Sequence, residues 1–140
     1  MSVQAILAPV FVQVLLTFVL LLRTISLRVP ALRAGRVRVE DAALDDATFP
    51  PPARQASNAF KNQFELPVLF YVLVILALQT RQADILFLVM AWIFVLSRIV
   101  HAFIHTGSNA MSQRGLAFAT GAMVLMLMWL IYAIRLLLAL

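Results

Sequence analysis

A few charged side chains border or interrupt the long apolar runs of this sequence. Glu65, Arg98 and Arg114 do so, and His101 and His105 follow Arg98 at intervals of three and four residues. That spacing puts Arg98 and both histidines on one face of a helix. A charge near the bilayer centre costs about 2.5–3.5 kcal/mol on insertion scales, so each such residue is a candidate for function. Two arginines against one glutamate leave a positive balance, which predicts a site for a small anionic ligand.

A second polar stripe leads up to Glu65. Gln55, Asn58, Asn62 and Glu65 are separated by three, four and three residues, which predicts one face of a single helix. If that helix runs antiparallel to the one carrying Arg98, Glu65 and Arg98 lie at similar depth and can form a direct ion pair. A purely structural pair that holds the two helices together is the alternative to a ligand site.

Other chemistries fit these residues less well. His101 and His105 have the spacing of a metal-binding pair, but Glu65 is the one further candidate ligand and two arginines would repel a cation. We therefore predict no metal site. The sequence has no cysteine, so any thiol chemistry requires the sulfur to arrive with a substrate.

The composition indicates an integral membrane protein. Of 140 residues, 64% are hydrophobic and 12% are charged, whereas soluble domains have about 45–50% apolar and about 25% charged residues. The net charge of +5 comes largely from one connecting segment without interleaved aromatic residues. That distribution favours a topology signal over nucleic-acid binding.

Four uncharged runs, at residues 3–22, 66–79, 85–97 and 115–134, suggest four membrane spans. A crossing needs about 20 residues, so the two middle runs must continue past Glu65 and Arg98. We predict one all-α domain, residues 1–140, with spans at residues 3–23, 58–79, 84–105 and 115–136 and a loop over residues 24–57.

The basic residues predict the orientation of these spans. Residues 23–61 contain seven arginines and lysines, whereas the opposite side has Arg81 and Arg135. The positive-inside tendency then puts the long loop in the cytoplasm and both termini on the other side. Three prolines at residues 50–52 predict an extended linker, followed by a helix from about Ala53.

Three short motifs carry a family resemblance. They are Gly35-Arg36-Val37-Arg38 after the first span, Asn62-Gln63-Phe64-Glu65 at the second, and Arg98-Ile99-Val100-His101 in the third, with Arg114 sixteen positions after Arg98. They look like the G-x-V-R, N-x-x-E and R-x-x-H motifs of bacterial members of the MAPEG superfamily (membrane-associated proteins in eicosanoid and glutathione metabolism). The chain resembles this family over essentially its whole length.

The resemblance implies a homotrimer that binds glutathione between neighbouring subunits on the cytoplasmic side. By the same resemblance Arg114 is the catalytic residue that stabilises the thiolate, and Arg38 holds a glutathione carboxylate. The remaining residues that it implies for the glutathione site are Asn58, Asn62, Glu65, Arg98, His101, His105 and Phe118. A guanidinium beside a thiol favours the thiolate, which agrees with the role implied for Arg114.

Three of these positions depart from the family pattern. Asn58 stands where mammalian members often have a basic residue, and His105 and Phe118 stand where they often have tyrosines. Because Phe118 cannot donate a hydrogen bond, stabilisation of a thiolate would depend on Arg114.

The function implied by the resemblance is a membrane-bound, glutathione-dependent transferase or peroxidase. It would act on hydrophobic electrophiles or lipid hydroperoxides in a bacterial inner membrane, with both termini periplasmic. The missing tyrosines keep open a non-catalytic lipid-binding or scaffold member of the same family. A small multidrug/proton antiporter, which also uses one intramembrane glutamate, fits less well because the first span has no charge and an arginine partner would keep Glu65 ionised.

Overall fold

The computed structural model describes residues 1–138, which form six α-helices and no strand. The helices are α1 (Val3–Arg33), α2 (Val39–Ala42), α3 (Pro51–Asn62), α4 (Leu66–Gln79), α5 (Ile85–Thr106) and α6 (Met111–Leu138). Four stretches are long and apolar enough to cross a membrane: Val3–Arg33, Pro51–Gln79, Ile85–Thr106 and Met111–Leu138. The predicted all-α fold with four spanning helices is therefore confirmed.

Helix α1 continues ten residues beyond the predicted end of the first span. It begins at Ser2, whose hydroxyl accepts a hydrogen bond from the Ala5 amide at 3.3 Å. It ends where Gly35 adopts a φ of +71°, a left-handed conformation that glycine reaches without steric cost. The Gly35 and Arg36 amides donate to the Leu32 and Ala31 carbonyls, which closes the last turn.

The segment between α1 and α3 is folded onto these two helices, so the prediction of an extended linker is wrong. Phe49 is buried with Ala31, Val37 and Ala53 in a small apolar cluster, and the Arg28 guanidinium lies 4.4 Å from the Phe49 ring centroid. Burial of Phe49 against α1 gives the segment a core of its own. Helix α3 begins at Pro51, two residues before the predicted start.

Asp46 connects this folded segment to α1 and α3. Its carboxylate accepts hydrogen bonds from Lys61 Nζ at 2.6 Å and Ser57 Oγ at 2.5 Å, and Arg28 Nη1 lies 3.1 Å away. Burial works against ionisation, but the two hydrogen bonds and the charges of Arg28 and Lys61 outweigh it, so the pKa of Asp46 lies below its ordinary value of 3.8. We call Arg28, Asp46, Ser57 and Lys61 the Asp46 cluster.

The second candidate span is broken between α3 and α4. In a continuous helix the ring of Pro67 would clash with the carbonyl of Gln63, and Pro67 has no amide to donate. Residues 63–65 form turns and a bend instead. The single stripe predicted from Gln55 to Glu65 is therefore wrong at its last member, because Glu65 lies in the break.

Helices α5 and α6 are packed closely around Gly121. An added Cβ at this position would come within 2.6 Å of Ser97 Oγ, so the close approach requires glycine. Next along α5, Arg98 has no exposed surface. The contact at Gly121 thus holds the helix that carries Arg98 and the histidines against the helix that begins near Arg114.

The apolar core joins α4, α5 and α6, with Ile6 from α1. Phe70 and Phe94 stack in its middle with ring centroids 4.8 Å apart, and Leu125 and Met128 of α6 pack beside them. Many large apolar side chains on the outside remain exposed, including Phe103 at 80%. An outer surface of this kind suits contact with lipid.

A buried pair of amides joins α1 to the break between α3 and α4. Gln13 Nε2 donates to Gln63 Oε1 at 2.7 Å, and Gln63 Nε2 donates to the Ala59 carbonyl at 3.0 Å. Gln13 is completely buried. An interhelical hydrogen bond of this kind fixes how α1 packs on the broken helix.

Candidate functional site

A polar cavity of about 520 Å³ opens among α3, the break after it, α5 and α6. Its lining combines amides, charged groups, two imidazoles and one aromatic ring: Asn58, Lys61, Asn62, Glu65, His101, His105, Arg114, Gly115 and Phe118. The cavity brings together seven of the nine site residues predicted from the sequence, and Arg98 and Arg38 are not in its lining.

Arg98 lies behind the cavity wall and reaches Glu65 through an amide. Its guanidinium donates to Asn62 Oδ1, and Asn62 Nδ2 donates to Glu65 Oε2 at 2.9 Å. Within residues 1–138, Glu65 and Arg98 form no direct ion pair, so the prediction that they pair directly is wrong. The reason is the break at Pro67, which inserts Asn62 between the two charges.

The buried guanidinium of Arg98 keeps two nitrogens without a hydrogen-bond partner. Nε and Nη1 are buried and contact no acceptor in the described part of the chain. The Phe118 ring lies 5.7 Å from Arg98 Cζ, a cation–π distance. Phe118 thus separates this positive charge from the cavity and stabilises it through its ring face.

Arg114 enters the cavity from the first turn of α6. Its Nη1 donates to Asn109 Oδ1 at 2.7 Å. Asn109 has a φ of +52°, in the left-handed region that asparagine tolerates better than most residues. Because this partner is a neutral amide, the Arg114 guanidinium keeps its full charge for a ligand in the cavity.

His101 and His105 lie side by side on the α5 wall. Their ring centroids are 5.5 Å apart in an edge-to-face arrangement, and the His101 ring lies 5.9 Å from the Phe118 ring. Both residues are buried, and neither Nδ1 atom has a partner among residues 1–138. The predicted common face of Arg98, His101 and His105 is present.

Arg38 lies outside this cavity. Its side chain is 77% exposed in the segment before α2, and its Nε lies 3.8 Å from Glu40 Oε2. A pair this exposed contributes little to stability. Arg38 therefore stays available at the surface of its own chain.

A second, smaller cavity of about 240 Å³ adjoins the first. It is lined by Pro51, Arg54, Gln55, Asn58, His105, Asn109 and Arg114. Asn58, His105 and Arg114 line both cavities. Pro51 and Arg54 are exposed, so this smaller cavity reaches the protein surface.

Lys61 and Gly115 line the main cavity but were not among the predicted site residues. Lys61 was used to predict the membrane orientation but not the site. Its position three residues after Asn58 nevertheless puts it next to the polar stripe that begins at Gln55. The Lys61 ammonium donates to Asp46, so its charge is already neutralised. No group of three or more histidines and acids that could hold a metal occurs in the described range.

An apolar groove of about 510 Å³ lies on the other side of the α5–α6 pair. Its lining is mainly aliphatic, with three neutral polar residues among the nine: Ile93, Leu96, Ser97, Val100, Ile104, Gln113, Leu116, Ala117 and Thr120. Leu116 is 71% exposed. The groove has the size and the character to receive an acyl chain or another apolar molecule.

Comparison with known proteins identifies the family. Searches of curated proteins and of solved structures found no match. The model of the MAPEG family matches residues 6–134, which covers all four candidate spans nearly from end to end. The motifs that carried the resemblance lie inside this range. This chain belongs to the MAPEG family.

Proposed function

We propose that this protein is a membrane-bound, glutathione-dependent transferase or peroxidase that acts on hydrophobic electrophiles or lipid hydroperoxides. The observation that carries the proposal is the Arg114 guanidinium, which faces a polar cavity and has a neutral amide as its partner. The MAPEG family includes glutathione-dependent transferases and peroxidases.

The charges of the cavity fit an anionic thiol. Lys61 is paired with Asp46, whereas Glu65 and Arg114 each have a neutral amide as their hydrogen-bond partner in the described chain, so Arg114 offers an unpaired positive charge to an anionic ligand. A guanidinium beside a thiol stabilises the thiolate, which is the reactive nucleophile. The chain has no cysteine, so the sulfur comes with glutathione.

The apolar partner in the reaction would come from the lipid. The aliphatic groove between α5 and α6 is open on the outer side of the helix pair and accepts hydrophobic molecules that partition into the bilayer. Glutathione, which is polar, would enter the cavity from the cytoplasm, with both termini on the periplasmic side of a bacterial inner membrane.

The site is completed in this proposal by a homotrimer. Arg38 is exposed and lies outside the cavity of its own chain. In a trimer, Arg38 of one subunit would bind a glutathione carboxylate in the cavity of the next. Mass measurement of the detergent-solubilised protein tests the trimer, and loss of glutathione affinity in Arg38→Ala without loss of the trimer tests the shared site.

A non-catalytic lipid-binding member of the family is the second candidate function. Two observations favour it: the groove is large and aliphatic, and Phe118 offers no hydroxyl to a thiolate. Lipid that co-purifies with the protein, together with glutathione binding but no turnover, would support this alternative.

The experiment that decides is calorimetry with glutathione followed by a conjugation assay with several electrophiles. Under the proposal glutathione binds, and at least one hydrophobic electrophile or lipid hydroperoxide is turned over. Absence of glutathione binding and of conjugation would overturn it.

A further inference from the structure

The two polar cavities meet at three residues, and this junction has its own chemistry. Asn58, His105 and Arg114 come from α3, α5 and α6 and line both cavities. A ligand that fills the main cavity and reaches this junction meets an amide, an imidazole and a guanidinium. Arg114 supplies charge, Asn58 can orient the ligand, and His105 can exchange a proton.

His105 can exchange a proton because its imidazole is not held by a hydrogen bond at Nδ1 in the described chain. Its neighbour on the helix face is another imidazole, His101, at 5.5 Å between ring centroids. Glu65, the acid of the cavity, already accepts a hydrogen bond from Asn62. The smaller cavity leads from His105 to the exposed residues Pro51 and Arg54, which gives the proton a route to water.

We infer that His105 is the general base that takes the proton from the thiol bound at this junction; the inference rests on the function proposed above. The S–H bond breaks, its proton moves to an imidazole nitrogen of His105, and the electron pair stays on sulfur as a thiolate beside Arg114. The thiolate then forms a carbon–sulfur bond with the electrophile while the bond from that carbon to its leaving group breaks, and the leaving group departs with the electron pair. The imidazolium releases its proton to water through the smaller cavity.

The pH dependence of this step involves every charged or titratable group around His105. These are Arg54, Lys61 and Glu65 from α3 and the break, Arg98 and His101 from α5, and Arg114 from α6. The chain has two histidines, so His101 is the other imidazole that could act as a base, and it serves as the comparison variant.

The test compares His105→Gln with His101→Gln in the full-length protein. Thiolate formation is followed by ultraviolet absorbance after mixing with glutathione, and conjugation is measured as a function of pH. We expect His105→Gln still to bind glutathione, but to lose about 100-fold in the rate of thiolate formation at saturating glutathione and neutral pH. Its rate should climb with pH where the wild type reaches a plateau, while His101→Gln keeps the wild-type profile shape.

A second variant distinguishes the loss of a base from a folding defect. His105→Ala leaves space for free imidazole, which should restore thiolate formation in proportion to its concentration. Restoration supports a base at this position, since a packing defect would not respond to the basicity of the added amine. Failure of a series of imidazoles to restore any rate would overturn the inference.

The outcomes separate this inference from the proposed function. If the wild type conjugates glutathione while His105→Gln has an unchanged rate and pH profile, the inference is wrong and the proposed function stands. If the wild type neither binds nor conjugates glutathione, the proposed function is wrong, and the role of His105 is overturned with it.

Discussion

Two regions of this molecule collect charged side chains and use them differently. In the Asp46 cluster a single carboxylate faces Lys61, Ser57 and Arg28 at 2.5–3.1 Å, so its hydrogen bonds and its charge are satisfied within the chain. In the polar cavity the guanidinium of Arg114 has a neutral amide as its partner. Lys61 lies at the boundary, because it lines the cavity but gives its charge to Asp46.

The difference shows which charges build the fold and which remain for a ligand. A satisfied carboxylate between three basic or hydroxyl donors stabilises the packing of the folded segment on α1 and α3. A guanidinium without a carboxylate partner gains most when an anion binds. Variants in the Asp46 cluster should therefore change stability, and variants in the cavity should change activity.

The largest expected effect is on catalysis, from Arg114→Ala. Loss of the positive charge beside the thiolate should lower kcat/KM for conjugation at least about 100-fold, in the range found when one stabilising donor is removed. The thermal midpoint and the oligomeric state in detergent should stay near those of the wild type. Arg33→Ala, at the exposed end of α1, is the matched control and should keep full activity; equal losses in both variants would remove the contrast between the two regions.

Asp46→Ala should show the opposite pattern. It leaves Arg28, Ser57 and Lys61 without their shared acceptor, and we expect a loss of about 2 kcal/mol in the free energy of unfolding. Lys61, freed from Asp46, would add a positive charge to the cavity lining, so glutathione affinity should not fall. Glu40→Ala removes a carboxylate that is 77% exposed and should cost almost nothing. Chemical denaturation in detergent, read by circular dichroism, measures both; similar values for the two variants would contradict the structural role of Asp46.

Acid should weaken the Asp46 cluster before other parts of the fold. Because the pKa of Asp46 in the folded protein lies below its ordinary value of 3.8, the stabilisation is complete above about pH 4 and is lost as the pH falls through the depressed folded value. Asp46→Asn should lack this component. The measurement is the thermal midpoint of both proteins as a function of pH; parallel curves below pH 4 would show that Asp46 does not carry the acid sensitivity.

The smallest expected effect is on stability, from loss of the hydrogen bond between Gln13 and Gln63. Gln13→Leu removes the donor to Gln63, while Gln63 keeps its own hydrogen bond to the Ala59 carbonyl. Interhelical hydrogen bonds in membranes are worth about 0.6–2 kcal/mol, so we expect a loss of about 1 kcal/mol in stability and no direct change in conjugation. Thr24→Val, about three turns further along α1, is a matched control that removes a buried hydroxyl bonded to the Leu20 carbonyl of its own helix; a larger loss there than in Gln13→Leu would contradict a special role for the buried amides.

Much of the fold could be predicted from the run lengths of apolar residues. The four spanning helices and the turn before Asp84 follow from uncharged runs and from the polar residues between them, because the bilayer sets the length of a crossing. Gly35 was predicted to lie after the first span, as it does. The continuation of α1 beyond residue 23 to Arg33 was not predicted. Its turns contain Arg28 and Arg33, which lie beyond the uncharged run, and they are stabilised by contacts with Phe49 that only folding creates.

The candidate site could be predicted as a set of residue types but not as a set of contacts. The three- and four-residue spacing of Arg98, His101 and His105 was enough to put them on one face. The prediction that Glu65 pairs directly with Arg98 was wrong because it assumed one continuous helix in this region. Pro67 interrupts that helix. Gln13 was passed over because a single uncharged amide costs far less in a span than a charge does.

The sequence by itself determined that this is a membrane protein with four spanning helices, and its motifs pointed to the MAPEG family. Those conclusions rest on hydrophobicity and spacing, which are properties of the chain before it folds. Only the tertiary structure decided that Asn62 stands between Arg98 and Glu65, and that Asn58, His105 and Arg114 meet where two cavities join. Such contacts depend on how three helices and a proline break pack against one another, and that packing is set by long-range burial.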